Sequence, residues 1–430
     1  MTSLDLTAKP PKDKNARVWL FFLLNGIGIL LPWHLLLLMA MPHFVLSKLK
    51  TSDMAKDFMY NLTLWLQVPG LLLNIFFILR PAKQGMASRM GYSIIASTIP
   101  LLAIDVLVWP DTKNWADTYC YVIFALAAAL NAANGVHQNS LYGMASDFPS
   151  KYTNAVILGS NSCGLIVSVF VAAVEFVLPA AQHGNIQAFI CFTVALAVLV
   201  TCYTSIRYVK SNVFWQYYWQ LGNELRRRAA PSKSQSGERC KALGEGWSQY
   251  INVFLGFFVT LAIFPSVMSE VKLTPPDREG RFGYPLSFPP EGQFINVFTF
   301  NMFNGLALLG SILAGVFGPI FSPRSFTVAT GARMLLIPII LACNYQPGGS
   351  EVPRALPVLI SNYWIYLPLA ALLSITSGYF GSLSMMFSVK VVDPSRAQFA
   401  GQISSLFLGL GVVLGICLRA YAPMDCVDVC

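Results

Sequence analysis

Charge is what this sequence has least of. Of 430 residues, 11% are Asp, Glu, Lys or Arg, against about 25% in ordinary soluble domains, and a water-soluble globule is excluded. No G-x-x-x-x-G-K-[ST] occurs, nor even a Gly-Lys dipeptide, so the phosphate-cradling loop of an ATP-driven pump is not encoded. H-E-x-x-H and G-x-S-x-G are also missing, which removes the named routes to metal-assisted hydrolysis and acyl transfer. An intramembrane transferase built on His137 or Asp105 would lack a second catalytic partner at readable spacing. The nine cysteines form no C-x-x-C pair, and most stand in apolar runs as small core residues. Only Cys426 and Cys430 lie in a polar tail where a disulfide is conceivable. The expectation is a protein that is not an enzyme and uses no cofactor or metal.

What is abundant is apolar sequence: 55% of residues, including 30 Phe, with mean hydropathy +0.57. At about 20 residues per bilayer crossing, the apolar runs read as eleven transmembrane helices. They fall at 18–41, 58–79, 90–109, 119–146, 154–178, 187–209, 249–268, 293–320, 325–346, 358–388 and 398–422. This is an all-α polytopic membrane protein in a 6+5 arrangement. A polar N-terminal tail (1–17) precedes a six-helix bundle (18–209), a basic cytosolic linker read as flexible (210–248), a five-helix bundle (249–422) and an exofacial tail (423–430). A proline-rich stretch, 270–292, reads as an irregular cap. With the N-terminus in the cytosol, nineteen Lys and Arg, Arg89 among them, fall in inside loops and eight in outside loops. That bias sets N-terminus in and C-terminus out, and it accounts for the net charge of +9 without nucleic acid. Basic loops of this kind meet anionic membrane lipid, and no obligate protein partner is evident.

The first helix of each half is interrupted, by Gly26, Gly28 and Pro32 in one and by Gly256 and Pro265 in the other. A matched pair of breaks is the best sequence pointer to a transporter's midplane site, which makes Pro32 and Pro265 candidate hinges. Polar residues inside spans are costly and usually face a bundle interior or a wet cavity. Span four is the extreme case, with Asn131, Asn134, His137, Gln138, Asn139 and Ser140; positions 131, 134 and 138 share one helical face. Amides both donate and accept, which suits a neutral ligand with several hydrogen-bonding atoms. The same stripe would also serve as interhelical glue. Asn301 and Asn304 repeat the pattern in span eight, and Trp33 and Phe264 stand beside the two breaks as flat faces for a ring-shaped substrate. Arg333 lies within span nine as a structural charge; Asp105 and Glu175 stand near outer ends.

Several strings resemble the equilibrative nucleoside transporters, and the likeness runs from 18 to 422. NGIGILLPWHLLL resembles the family's glycine-rich run ending in Leu-Pro-Trp-Asn, with His34 in place of the Asn. QNSLYGMASDFPSKYT, FPSV at 264–267, FNMF at 300–303, ARMLLIP at 332–338 and MMFSVKVVDPSRAQFAGQ follow in the family's order. The resemblance implies a fold related to the major facilitator architecture and passive, alternating-access transport of nucleosides or nucleobases; the expected membrane is the plasma membrane, with an intracellular membrane as the alternative. Residue by residue, it implies that Trp33 stacks on the ligand and Gln138 hydrogen-bonds the base, while Phe264 and Pro265 border the path and Asn301 lies in the site. The family's Phe-Asn-x-Phe-Asp-x-x-Gly-Arg is broken here: Asn304 replaces the Asp and Leu308 the Arg. Losing both members together avoids a buried unpaired charge, at a cost of about 3–5 kcal/mol, and it leaves a less charged pocket. With that departure, an organic cation carrier using Glu175 or Asp105 and a non-transporting receptor or scaffold stay open as alternatives.

Overall fold

The computed structural model describes residues 10–55, 58–80, 85–178, 184–229, 235–274, 294–318, 320–346 and 357–421, with positions 283 and 286. Most of the proline-rich stretch and the tail bearing Cys426 and Cys430 lie outside the described residues. The described residues are mainly helical: α1 Arg17–Leu38, α2 Phe58–Leu79, α3 Met86–Val106, α4 Ala116–Ala145, α5 Ser150–Val177, α6 Asn185–Lys210 and α7 Val213–Ala229 come first. Then follow α8 Gln235–Ile263, α9 Ser266–Ser269, α10 Met302–Phe317, α11 Pro323–Ala332, α12 Leu336–Leu341, α13 Tyr363–Lys390 and α14 Ala397–Tyr421. Among the described residues, ten helices are long and apolar enough to cross a membrane, and the protein is an integral membrane protein.

Eleven equal spans are not what the helix lengths give. The expected ninth span is a shorter apolar helix, Ser325–Leu341. Pro338 offers no N–H to the carbonyl of Met334, and the helix tightens to a 3-10 turn over Arg333–Leu335 between α11 and α12. The stretch read as a flexible linker is also different: α7 and the start of α8 are folded helices. Asn212 caps α7 by accepting from the Phe214 N–H at 2.9 Å. Phe214 and Trp215 are buried against Tyr152 and Phe148, with ring centroids 5.3 and 4.9 Å apart. Polar composition concealed this aromatic face.

The helices group into two compact units. The first comprises Met1–Trp247 with Met385–Leu406, the second Ser248–Ser384 with Phe407–Cys430. In the first, α1 packs on α5 and α6, and α4 on α2 and α3. The α1–α5 approach depends on two glycines: a Cβ on Gly26 would collide with the Val156 carbonyl oxygen, and one on Gly159 with that of Leu23. Helix pairs in lipid gain by such close backbone approach. In the second unit, Gly310 and Gly378 bring α10 onto α13 in the same way, against the Ile375 and Ala307 carbonyls.

Candidate substrate site

In the first unit, the site residues stand on α1 and α4. Pro32 removes one helical donor from α1, and the π-type segment Ala40–Lys48 follows the helix. Trp33 and His34 lie just past that break, their rings edge-on at 4.7 Å, and His34 Nδ1 is 3.1 Å from the Leu30 carbonyl. The buried indole nitrogen of Trp33 has no protein partner among the described residues. Neither ring nitrogen of fully buried His137 has one either. Asn134 behaves differently, because its amide donates to the Ile29 carbonyl at 2.6 Å and ties α4 to α1. Gln138 is half-buried and reaches Ser405 Oγ at 3.4 Å.

Beside Gln138 runs a network of side chains. Arg89 donates through Nε to Ser140 Oγ at 2.8 Å and through a terminal nitrogen to Asn139 Oδ1 at 2.7 Å. Asn139 donates to Asn74 Oδ1 at 2.6 Å, and Asn74 donates to Ser405 Oγ at 3.3 Å. The Arg89 guanidinium also lies 5.4 Å over the Phe77 ring. Arg89 was therefore miscounted as an inside-loop charge: it is buried in the first turn of α3. α3 begins at Met86, four residues ahead of the expected start at 90, and so takes Arg89 in. Lys48, assigned to an outside loop, is also buried, and its ammonium donates to the Pro110 carbonyl at 2.8 Å.

In the second unit, α8 ends at Ile263, ahead of Pro265. The Phe264 ring is buried and stacks on Phe303 at 3.7 Å, with Phe300 edge-on at 5.7 Å. Asn301 closes a π-type segment, Ile295–Asn301, and Asn304 lies in the first turn of α10. Asn301 Oδ1 and Asn304 Nδ2 are buried without a partner among the described residues. Leu308 follows Asn304 by four positions, so the two share a helix face.

Arg333 is fully engaged in the second unit. It donates to Thr376 Oγ1 at 3.2 Å, the Gly256 carbonyl at 3.1 Å and Thr260 Oγ1 at 3.1 Å, with Phe380 beneath it at 5.9 Å. Gly256 thus matters as an acceptor for this cation. Asp105 is buried and accepts from Thr193 at 3.3 Å. The Glu175 side chain lies outside the described residues.

Comparison with known proteins decides the family. Residues 124–421 match the nucleoside transporter family. The chain belongs to that family. It is 26% identical to equilibrative nucleoside transporter 1 of Homo sapiens, over 95% of this chain and 97% of that one. It is 24% identical to equilibrative nucleoside transporter 3 of Rattus norvegicus (94% and 88%) and 25% identical to equilibrative nucleotide transporter 1 of Arabidopsis thaliana (95% and 86%). Among solved structures, the major facilitator superfamily proton:xylose symporter XylE superposes with a TM-score of 0.61 at 13% identity, covering 95% of this chain and 88% of that one. A bacterial homologue of the iron transporter ferroportin gives 0.57 at 13%, covering 96% and 93%. The fold of this nucleoside transporter family member is of the major facilitator type.

Proposed function

We propose that this chain is a passive carrier of nucleosides, and of nucleobases by the same chemistry, working by alternating access without ATP. Family membership supports the transport class. Support for the site comes from one observation: buried polar atoms without partners among the described residues stand at family-matched positions. They are Trp33 Nε1 in the first unit, and Asn301 Oδ1 and Asn304 Nδ2 in the second. Each such atom costs about 1–3 kcal/mol when left unsatisfied, and a ligand carrying complementary donors and acceptors relieves that cost. All three are neutral, which matches an uncharged base and sugar better than an ion. Of the first unit, Gln138 is the proposed partner of the base and Trp33 and His34 of the ring; of the second, Asn301 and Asn304 are the proposed partners of the sugar hydroxyls. Phe264 shapes the wall through Phe303, and Pro32 and Pro265 are the flexible points. The N-terminus is cytosolic, the C-terminus exofacial, and the membrane is the plasma membrane.

The test of the site is Gln138→Ala, assayed by uptake of radiolabelled uridine, adenosine and hypoxanthine. Losing one hydrogen bond to a buried polar ligand costs about 1–3 kcal/mol, or roughly five- to more than a hundredfold in affinity. Unchanged uptake constants for all three solutes would remove Gln138 from the site.

A further inference from the structure

A concave cleft of 180 Å³ lies on the flank of the first unit between α3 and α6, away from the residues assigned to transport. Its floor is Gly91, Tyr203 and Ile206, and its rim carries Ser88, Arg207 and Lys210. Both cations come from the last turn of α6, are exposed, and have no carboxylate partner among the described residues. The Arg207 guanidinium sits 6.0 Å over the Tyr203 ring, which aims it across the cleft. The first turn of α3, which supplies Ser88, adds the positive end of a helix dipole. No residue lining the cleft is acidic.

An apolar track continues from this basic end. Tyr92, Ile95, Ile99, Leu102 and Val106 are exposed along one face of α3, at 63, 43, 67, 52 and 61%. Their spacing of three and four residues makes one stripe running the length of the helix. An anion site at one end and a stripe of acyl-chain length beside it describe an amphiphile, not a soluble ion. A phosphate group is an anion that one Arg and one Lys can hold together.

We propose that the α3–α6 cleft binds an anionic phospholipid, its phosphate held by Arg207 and Lys210 and one acyl chain lying along the Tyr92 to Val106 stripe. The charge complementarity selects against zwitterionic lipid, because no acid on the rim receives a choline or ethanolamine group. Under the cytosolic placement of the N-terminus, α3 starts and α6 ends at the cytosolic leaflet, where anionic lipid is concentrated. The inference rests on the protein's membrane placement and not on its substrate, so a failed uptake assay leaves it standing.

The experiment is native mass spectrometry of the full chain in detergent, titrated with phosphatidylserine or phosphatidylcholine. Wild type should retain phosphatidylserine preferentially. Arg207→Ala with Lys210→Ala should weaken that retention by about tenfold or more and abolish the preference over phosphatidylcholine, whose phosphate is the same but whose net charge is zero. Ser88→Trp, which plugs the cleft with both cations kept, should have the same effect, and it keeps the test decisive should the double variant fail to fold. Arg227→Ala with Arg228→Ala removes the same charge from an exposed surface where both side chains pair with Glu224, and it should match wild type. Equal losses in that control, retained phosphatidylserine in both cleft variants, or displacement by an equal concentration of soluble glycerophosphoserine would each overturn the assignment.

Discussion

Arg89 donates to the Asn139 side-chain oxygen at 2.7 Å, so that oxygen, adjacent in sequence to Gln138, is bound to a buried cation. The bond fixes the rotation of the Asn139 amide, whose nitrogen then donates to Asn74 at 2.6 Å. Low dielectric strengthens such a chain and makes each broken link costly. Arg89→Ala should therefore destabilise the protein by about 1–3 kcal/mol for each buried group it orphans. The variant's thermal midpoint in detergent should fall. Arg89→Lys should rescue it only partly, because one ammonium does not reproduce the two-nitrogen fork that holds Ser140 and Asn139.

A second buried charge depends on α7. The Asp147 side chain is 1% exposed and is gripped by both terminal nitrogens of Arg226, at 2.7 and 3.0 Å. Burial pushes the Asp147 carboxyl up from its ordinary 3.8, and Arg226 pulls it back. Removing Arg226 leaves the upward push alone, and breaking a buried pair from one side costs about 3–5 kcal/mol. Arg226→Ala should thus lose stability at neutral pH. Its folded state then binds a proton more readily than its unfolded state, so the deficit should shrink as pH falls below the raised folded value. Arg226→Ala with Asp147→Asn should be more stable than Arg226→Ala at pH 7. A deficit that is independent of pH from 4 to 8 would contradict the pairing.

The breaks and the span-four amides were legible in the sequence because each is expensive in hydrocarbon and so stands out against an apolar background, whereas the paired change at Asn304 and Leu308 was legible only against the pattern of the family the chain resembles. Arg89 was not: a charge at the edge of a hydropathy window resembles a loop residue, and only its partners Asn139 and Ser140, fifty positions on, show that it is buried. The α7 helix was missed for a related reason. Its apolar face is aromatic and is covered by Phe148 and Tyr152 from another loop and helix, while its other face is basic, so average polarity suggested a linker. Arg396 is held by Glu238 and Glu245 of α8, a pairing invisible to local sequence.

Asn304 provides a test of substrate chemistry. Asn304→Asp alone adds a carboxylate at a buried position and should reduce uptake, because an isolated buried charge is strongly disfavoured. Adding Leu308→Arg places a guanidinium one turn away on the same face, restores the family's pair and should recover or strengthen nucleoside uptake. If the double variant reaches the membrane and transports no better than the worse single one, Asn304 does not face the sugar.

Passive carriage of nucleosides is tested most directly by counterflow in proteoliposomes containing only this protein. Vesicles loaded with unlabelled uridine and diluted into labelled uridine, with no ATP and no ion gradient, should take up label transiently above its external concentration and then return to equilibrium. An overshoot followed by decay is the signature of a carrier whose empty and loaded forms cross separately. Label entry no faster than in protein-free vesicles, from protein that remains folded, would contradict the account, as would uptake that requires an imposed proton gradient.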